Sequence, residues 1–228
     1  MTINDAIELH LKDFSDVQKA RFKRYYELLA EWNSHMNLTA ITDPVDVVKK
    51  HFLDSILAEG LIEKGASCID VGTGAGFPGI PLLIARPDIS IVLLDALNKR
   101  VDFLKTVLFE LELDAQCIHK RAEDAARLPL YREKFDIALS RAVAPLNVLL
   151  EYTMPFVKVG GTSLMYKGPA AKDELILADD ALKKLSASAK LWEYHADWGE
   201  RHVIAAEKLF KTAPAYPRKS AAIKKKPL

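Results

Sequence analysis

The stretch CIDVGTGAGFPG, residues 68–79, decides the fold. Cys68 to Val71 is a short apolar run of the kind that becomes a buried strand. Glycines follow at 72, 74, 76 and 79, and then a helical stretch over Ile80–Ala85. Glycine permits a tight turn, and a missing Cβ lets a ligand lie against the backbone. Beyond the loop, strand-like and helical runs alternate. Ile89–Leu94, Ala115–His119, Phe135–Leu139 and Thr162–Met165 read as strands, with helices over Lys99–Leu111 and from Pro145. That alternation predicts a mostly parallel sheet with helices on both faces, a Rossmann-like α/β domain. Ala170–Ser188 reads as one more helix. Leu191–Tyr194 and His202–Ala206 read as a closing antiparallel pair around Asp197-Trp198-Gly199.

Residues 1–60 form a helical extension to that domain. Val17, Phe22, Tyr25, Leu28, Leu29 and Trp32 recur at helical spacing, with Ser15 as N-cap and Gln18 completing a capping box. Residues 33–37 end that helix. Asp43-Pro44 starts another, and Glu59-Gly60 stops a third that begins near His51. Residues 61–210 are then the Rossmann-like domain. Residues 211–228 read as a flexible basic tail, because Lys211, Arg218, Lys219, Lys224, Lys225 and Lys226 have no acid among them. Such a tail either neutralises phosphates or is merely solvated.

Two cofactor classes compete for the loop. Gly74-x-Gly76-x-x-Gly79 fits the dinucleotide expression, but the strand ends near Val71 and the turn begins at Gly72. In that register the third glycine of a dinucleotide site falls on Phe77, and Pro78 removes an N–H that a pyrophosphate would use. Asp70 would repel phosphates. It suits the ammonium of a methionine moiety, or a structuring role beneath the loop. Asp95 closes the next strand, where a carboxylate can accept both ribose hydroxyls. The pattern D-x-G-x-G-x-G with an acid ending the next strand resembles the class I S-adenosylmethionine-dependent methyltransferases. That resemblance implies S-adenosylmethionine as cofactor, held by Asp70, Gly72, Thr73, Gly74, Gly76, Phe77 and Asp95. Ala122 and Glu123, after the third strand, stand where this fold usually places a residue near the adenine ring.

The exit of the fourth strand separates methyltransferase chemistries. Ser140-Arg141-Ala142 offers neither the Pro-Pro turn of enzymes acting on exocyclic amines nor a cysteine nucleophile. Arg141 suits a grip on a phosphate or a base edge. The acceptor would then be nucleophilic already, as N7 of guanine is, and catalysis would be mostly alignment of N7, methyl carbon and sulfur.

Composition narrows the setting. A net charge of +1 does not by itself announce nucleic acid. Cys68 and Cys117 form no CxxC pair and read as reduced core thiols of a cytoplasmic protein. The histidines lack metal-ligand spacing, so no metal is expected. No apolar run is long enough for a membrane span, and no signal peptide opens the chain.

Several motifs together resemble one family, the bacterial small-subunit ribosomal RNA guanine-N7 methyltransferases, also called glucose-inhibited division protein B. They are Trp32-Asn33 with Asn37-Leu38-Thr39, His51-Phe-Leu-Asp54-Ser55, the run GTGAGFPGIP from Gly72 to Pro81, Lys99-Arg100, Ser140-Arg141-Ala142, Lys167-Gly168 and Glu200-Arg201-His202. The resemblance implies methyl transfer to guanine N7 of 16S rRNA, on free RNA or the 30S particle, without a covalent enzyme intermediate. It implies that Arg141, Lys167 and Arg201 line the RNA side of the pocket, with Arg141 also near the cofactor. Ala96 stands where many members have serine, and the strand after Arg201 lacks the family's usual basic residue. His51 and Asp54, three apart on one helix face, read either as pocket-mouth residues or as helix-pairing groups. A methyltransferase of another RNA, a small molecule or a protein, and a non-catalytic ribosome-binding module, are the alternatives.

Overall fold

In the computed structural model, which describes residues 1–228, β1 (Ser67–Val71) lies near the middle of a seven-stranded sheet. The other strands are β2 (Ser90–Asp95), β3 (Gln116–His119), β4 (Phe135–Arg141), β5 (Val157–Lys167), β6 (Ala187–Ala196) and β7 (Gly199–Lys208). Their order is β3-β2-β1-β4-β5-β7-β6. β1 to β5 pair in parallel, and β7 runs antiparallel to both β5 and β6. This is the mostly parallel Rossmann-like sheet that the alternation predicts, closed by the expected antiparallel pair.

Successive strand residues face opposite sides, so one strand feeds two apolar layers. Cys68, Ile91, Leu93, Ile137 and Leu139 pack on one side with Phe103 and Leu104 of the Asn98–Glu110 helix. Ile69, Val71, Leu94 and Ala138 pack on the other with Val148 and Tyr152 of the Leu146–Thr153 helix. The register sets Val71 beside Leu94, Asp70 beside Leu139, and Asp95 beside His119. One edge of the sheet therefore carries Gly72, Asp95, Lys120 and Arg141 at the carboxyl ends of four neighbouring strands. Chain direction diverges there between β1 and β4, where ligands bind in open α/β sheets.

The N-terminal helices share the first layer. The Asp16–Met36 helix has the expected Ser15–Gln18 capping box and ends at Asn37, which caps it at φ 51°. Phe22, Tyr25, Leu28 and Leu29 are its buried stripe. An unanticipated first helix, Ile3–His10, is capped by Thr2 and Asp5. The separate helix expected from His51 to Glu59 does not form. A helical run instead continues from Pro44 to Ile56, π-helical over Val48–Leu53, and Glu59–Leu61 is a single 3-10 turn.

Gly76 shows how closely this layer meets the loop. Its φ is +99°, and an added Cβ would stand 2.5 Å from Ile80 Cδ1 and 2.6 Å from Tyr25 Oη. Tyr25 Oη also donates a hydrogen bond to Ala75 O. Gly76→Ala should lower stability by about 2 kcal/mol through strain and overpacking. A urea midpoint equal to wild type would show that the loop can back away from Tyr25.

The structure departs from the sequence expectation in three further places. The single helix over 170–188 is two, Ala171–Leu177 and Asp179–Lys184, because the bend at Ala178 lets Ala171, Ala178, Ala181 and Leu185 all bury against Leu146, Leu149 and Leu150. β5 is longer than Thr162–Met165, because Gly160 and Gly161 lie within it beside a register shift between Phe135 and Ile137, rather than breaking it. The basic tail is packed, not loose. It contains a helix, Ser220–Lys225, with Ile223 fully buried, and Arg218 pairs with the buried Glu151. Both cysteines are unpaired, and Cys117 on edge strand β3 is only partly buried. No helix is long and apolar enough to cross a membrane, and no cluster of metal-ligating side chains exists.

Candidate active site

Three adjoining cavities run along the carboxyl edge of the sheet. The first, about 210 Å³, is walled by Gly72, Asp95, Ala122, Glu123 and Val143 among others. The second, about 350 Å³, lies over Gly72, Thr73, Gly74 and Phe77, with His51 and Arg141. The third, about 700 Å³, is bounded by Asp54, Arg141, Lys167, Glu174, Arg201 and His202. Gly72 belongs to the first two, and Arg141 and Asp54 to the last two, so together they form one crevice.

The glycine loop is held from two sides. Asp95 accepts hydrogen bonds from Gly74 N on Oδ2 and from Leu97 N on Oδ1, each 2.9 Å. Beneath the loop, Asp70 Oδ2 accepts from Thr73 Oγ1 at 2.6 Å and from Gly79 N at 2.9 Å. Asp70 is wholly buried and lines none of these three cavities, so the structure gives it the structuring role. Its Oδ1 has no partner, and burial pushes its carboxyl up to about 6. Gly76 also lies behind the loop against Tyr25 rather than on the crevice. The remaining expected cofactor residues, Gly72, Thr73, Gly74, Phe77, Asp95, Ala122, Glu123 and Arg141, all line it.

Two glycines shape the crevice for an adenosine-bearing cofactor. Gly74, at φ +61°, has no atom within 4 Å of where a Cβ would stand, so the crevice is open above it. Gly72, at φ +73°, would set a Cβ 2.7 Å from Val143, so the β1 and β4 exits approach too closely for any side chain. Bare backbone facing space at Gly74, bonded through its N–H to Asp95, is a cradle for a nucleoside.

Arg141, at the end of β4, and Arg201, on β7, both bind Asp54. Arg141 Nη1 donates to Oδ2 at 2.9 Å and Arg201 Nε to Oδ1 at 2.7 Å. Trp198 Nε1 donates to the same Oδ1 at 3.3 Å. The Arg141 guanidinium lies 4.9 Å over the Phe77 ring, and Phe77 stacks on His51 at 4.5 Å. Arg141 Nη2 donates to His51 Nδ1 at 3.3 Å, which leaves Nε2 to donate to Thr39 Oγ1 at 2.8 Å. Burial, and then the Arg141 charge, hold His51 down at about 4, so its ring is neutral at pH 7. Asn33 Nδ2 in turn donates to Thr39 O, and Thr39 N donates to Asn33 Oδ1. The N-terminal motifs are thus one network ending on Arg141. Ala142, immediately after it, is held at φ 56°, a left-handed conformation that turns the chain at the crevice.

Lys167 lines the third cavity but is committed. Its Nζ donates to Ala144 O at 2.8 Å and to Glu174 Oε2 at 2.7 Å, and Glu174 also accepts from Leu146 N. It braces the loop after β4 and does not point free charge at an acceptor. Glu174 and Trp198 were missed from sequence, because neither lies in a motif of its own.

Comparison with known proteins fits this geometry. The family model described as GidB, rRNA small subunit methyltransferase G, matches residues 18–204. "Ribosomal RNA small subunit methyltransferase G" of Desulfitobacterium hafniense is 47% identical, over 95% of this chain and 92% of the relative. The protein of that name from Leuconostoc mesenteroides is 45% identical, over 92% and 91%.

The chain belongs to the GidB family. It is an S-adenosylmethionine-dependent methyltransferase of small-subunit ribosomal RNA. Solved structures support the fold of this GidB-family enzyme. A methyltransferase from Pyrococcus furiosus aligns with TM-score 0.58 at 15% identity, over 84% of this chain and 99% of that one. A SAM-dependent methyltransferase from Aquifex aeolicus gives 0.53 at 16%, over 71% and 92%. The matched span of the GidB model takes in Asp54, the glycine loop, Asp95, Arg141 and Arg201, and stops before the C-terminal segment.

Proposed function

We propose that the enzyme methylates N7 of a guanine in 16S rRNA, with the nucleoside of its cofactor in the first cavity and the acceptor base in the third. Asp95 would take the ribose hydroxyls and Glu123 would border the adenine. Bound along the glycine loop, the cofactor supplies an electrophilic methyl group at the junction of the cavities. Arg141 and Arg201 would hold the acceptor by a base edge or phosphate.

One observation carries the choice of N7. The groups that reach Arg141 are held in ion pairs and hydrogen bonds that would have to give way before either took a proton from the acceptor. Asp54 has both oxygens bound by guanidinium groups, and His51 gives Nδ1 to Arg141. An acceptor at this wall needs its own lone pair, and guanine N7 has one. The exit of β4 likewise lacks a cysteine or a Pro-Pro turn. Residues 1–60 would then serve as an extension supplying Asp54 and His51 to a transferase domain over 61–210, working in the cytoplasm on rRNA or the 30S particle.

The test is chemical. 16S rRNA from a strain lacking the enzyme is methylated in vitro, then treated with borohydride and aniline, which cleave the strand at N7-methylguanosine. One new cleavage at a guanine is the expected result. Incorporated methyl without cleavage would place the transfer on another atom.

A further inference from the structure

The last eighteen or so residues carry only basic charge, yet they are fastened to the body along their length. Arg132 donates through Nη2 to Thr212 O and through Nη1 to Tyr216 O, each 2.9 Å. Arg127 donates to Pro217 O. Arg218 donates to Glu151 through Nε at 2.9 Å and Nη2 at 2.6 Å, and its backbone N–H donates to the same carboxylate at 2.7 Å. Glu151 is 0% exposed, so this pair is made away from water. Arg218 Nη1 also donates to Lys226 O at 3.0 Å. One guanidinium therefore ties the far end of the Ser220–Lys225 helix to the Leu146–Thr153 helix. Ile223 completes the fastening, buried in the layer that holds Val71, Leu94 and Tyr152.

That docking has a consequence for the crevice. Ser220 and Lys224 are four apart and share a helix face. Both line the first cavity, together with Asp95, Glu123 and Tyr152. A solvated tail would have no reason to bury Ile223 and pair a fully buried acid, and this one presents two side chains to a nucleoside-sized space instead. The chemistry suits an uncharged, flat group. Lys224 offers an aliphatic stem as cover with its ammonium at the rim, and Ser220 offers a hydroxyl that both donates and accepts. The carboxylates of Asp95 and Glu123 in the same wall oppose a phosphate there.

We infer that the C-terminal segment is the outer wall of the adenosine site. Ser220 and Lys224 contact the bound nucleoside, and Arg218 is a positioning residue that holds them in place through Glu151. This rests on the assignment of adenosine to the first cavity, and the segment lies outside the span matched by the family model.

Calorimetry with S-adenosylhomocysteine tests it on the full-length protein. Arg218→Ala should weaken binding about tenfold, because the wall must be ordered at the moment of binding. Arg218→Lys, which keeps the ion pair with Glu151 but not the bond to Lys226 O, should recover part of that loss. Ser220→Phe, which fills the cavity without touching the latch, should weaken binding by about tenfold or more. In turnover assays both losses should appear in KM for the methyl donor, with kcat and KM for RNA unchanged. Amides of residues 216–225 should gain hydrogen-exchange protection when the ligand binds. Asp95→Ala is the control for the underlying assignment. If it weakens binding while Arg218→Ala and Ser220→Phe bind as wild type, the segment is no wall. If the tail variants raise only KM for RNA, the segment serves the nucleic acid and the proposal is overturned. If Asp95→Ala itself binds as wild type, adenosine is not in this cavity and the assignment beneath the proposal fails.

Discussion

Asp54→Ala should cut methyl transfer by about a hundredfold or more while leaving S-adenosylhomocysteine affinity within about threefold of wild type. The carboxylate is the shared counter-ion of Arg141 and Arg201, at 2.9 and 2.7 Å, and its side chain is 9% exposed. Removing it leaves two partly buried guanidinium groups in the wall of the third cavity without their shared counter-ion. Breaking a buried pair from one side costs about 3–5 kcal/mol, mostly from the uncompensated charge. Arg141 retains only the carbonyls of Lys50 and His51, His51 Nδ1 and the Phe77 ring, none of which is anionic. It would swing toward water and the acceptor would lose its grip. Asp54→Asn is the companion variant. It preserves shape but keeps only one acceptor oxygen and no charge, and its amide NH2 faces one of the two arginines, so it should recover part of the stability and little of the activity. Wild-type transfer rates in Asp54→Ala would mean that neither arginine needs fixing, and that the acceptor is held elsewhere.

Much of this site was legible in the sequence because its parts are local. A strand, a glycine turn and a following helix announce themselves within a dozen residues, and Asp95 is found by counting to the end of the next strand. Arg141 was legible for the same reason, as the residue leaving β4. The tie between Asp54 and Arg141 was not, because it spans 87 positions and no periodicity reports it. His51 and Asp54 share a helix face, which the spacing shows. That the face meets the β4 exit depends on the whole N-terminal layer packing on the sheet through Phe22, Tyr25 and Phe52.

Charge in a sequence is also silent about partners. Lys167 reads as a free lysine after a strand, yet Glu174 holds it. The C-terminal segment reads as a solvated tail because its basic residues are counted together, while its one apolar anchor, Ile223, is a single residue with no repeat around it. Glu151 is equally opaque. It sits on an apolar helix and is explained only by an arginine 67 positions later. Asp70 was legible as an acid before a glycine turn, but both of its readings survived until the hydrogen bonds to Thr73 and Gly79 placed it under the loop.

Asp70 should make itself felt in a pH series of unfolding measurements. Its ordinary value is 3.8, and burial raises it to about 6 in the folded protein, partly offset by the bonds from Thr73 and Gly79 and by the charge of Arg141. A raised folded value means that the native state binds the proton more tightly than the unfolded chain. The stabilisation is complete below 3.8 and is lost as pH rises through about 6. At 1.36 kcal/mol per unit, the loss is about 3 kcal/mol. His51 acts in the opposite sense. Its folded value is lowered from 6.5 to about 4, so its contribution is present above 6.5 and lost as pH falls through 4. The two partly cancel in wild type, so the informative quantity is the difference between wild type and Asp70→Asn. Asparagine keeps an oxygen for Thr73 and Gly79 and does not titrate. Between about pH 3 and about pH 7, wild type should lose about 3 kcal/mol relative to that variant in urea unfolding. A constant difference would show that Asp70 is no harder to ionise than an exposed carboxylate, and that burial under the loop is not felt by its charge. At neutral pH the enzyme thus keeps an ionised acid, Asp70, beneath the glycine loop. The cost of the buried charge is carried in the absence of ligand, and the negative potential it creates favours a cationic cofactor over a phosphate-bearing one.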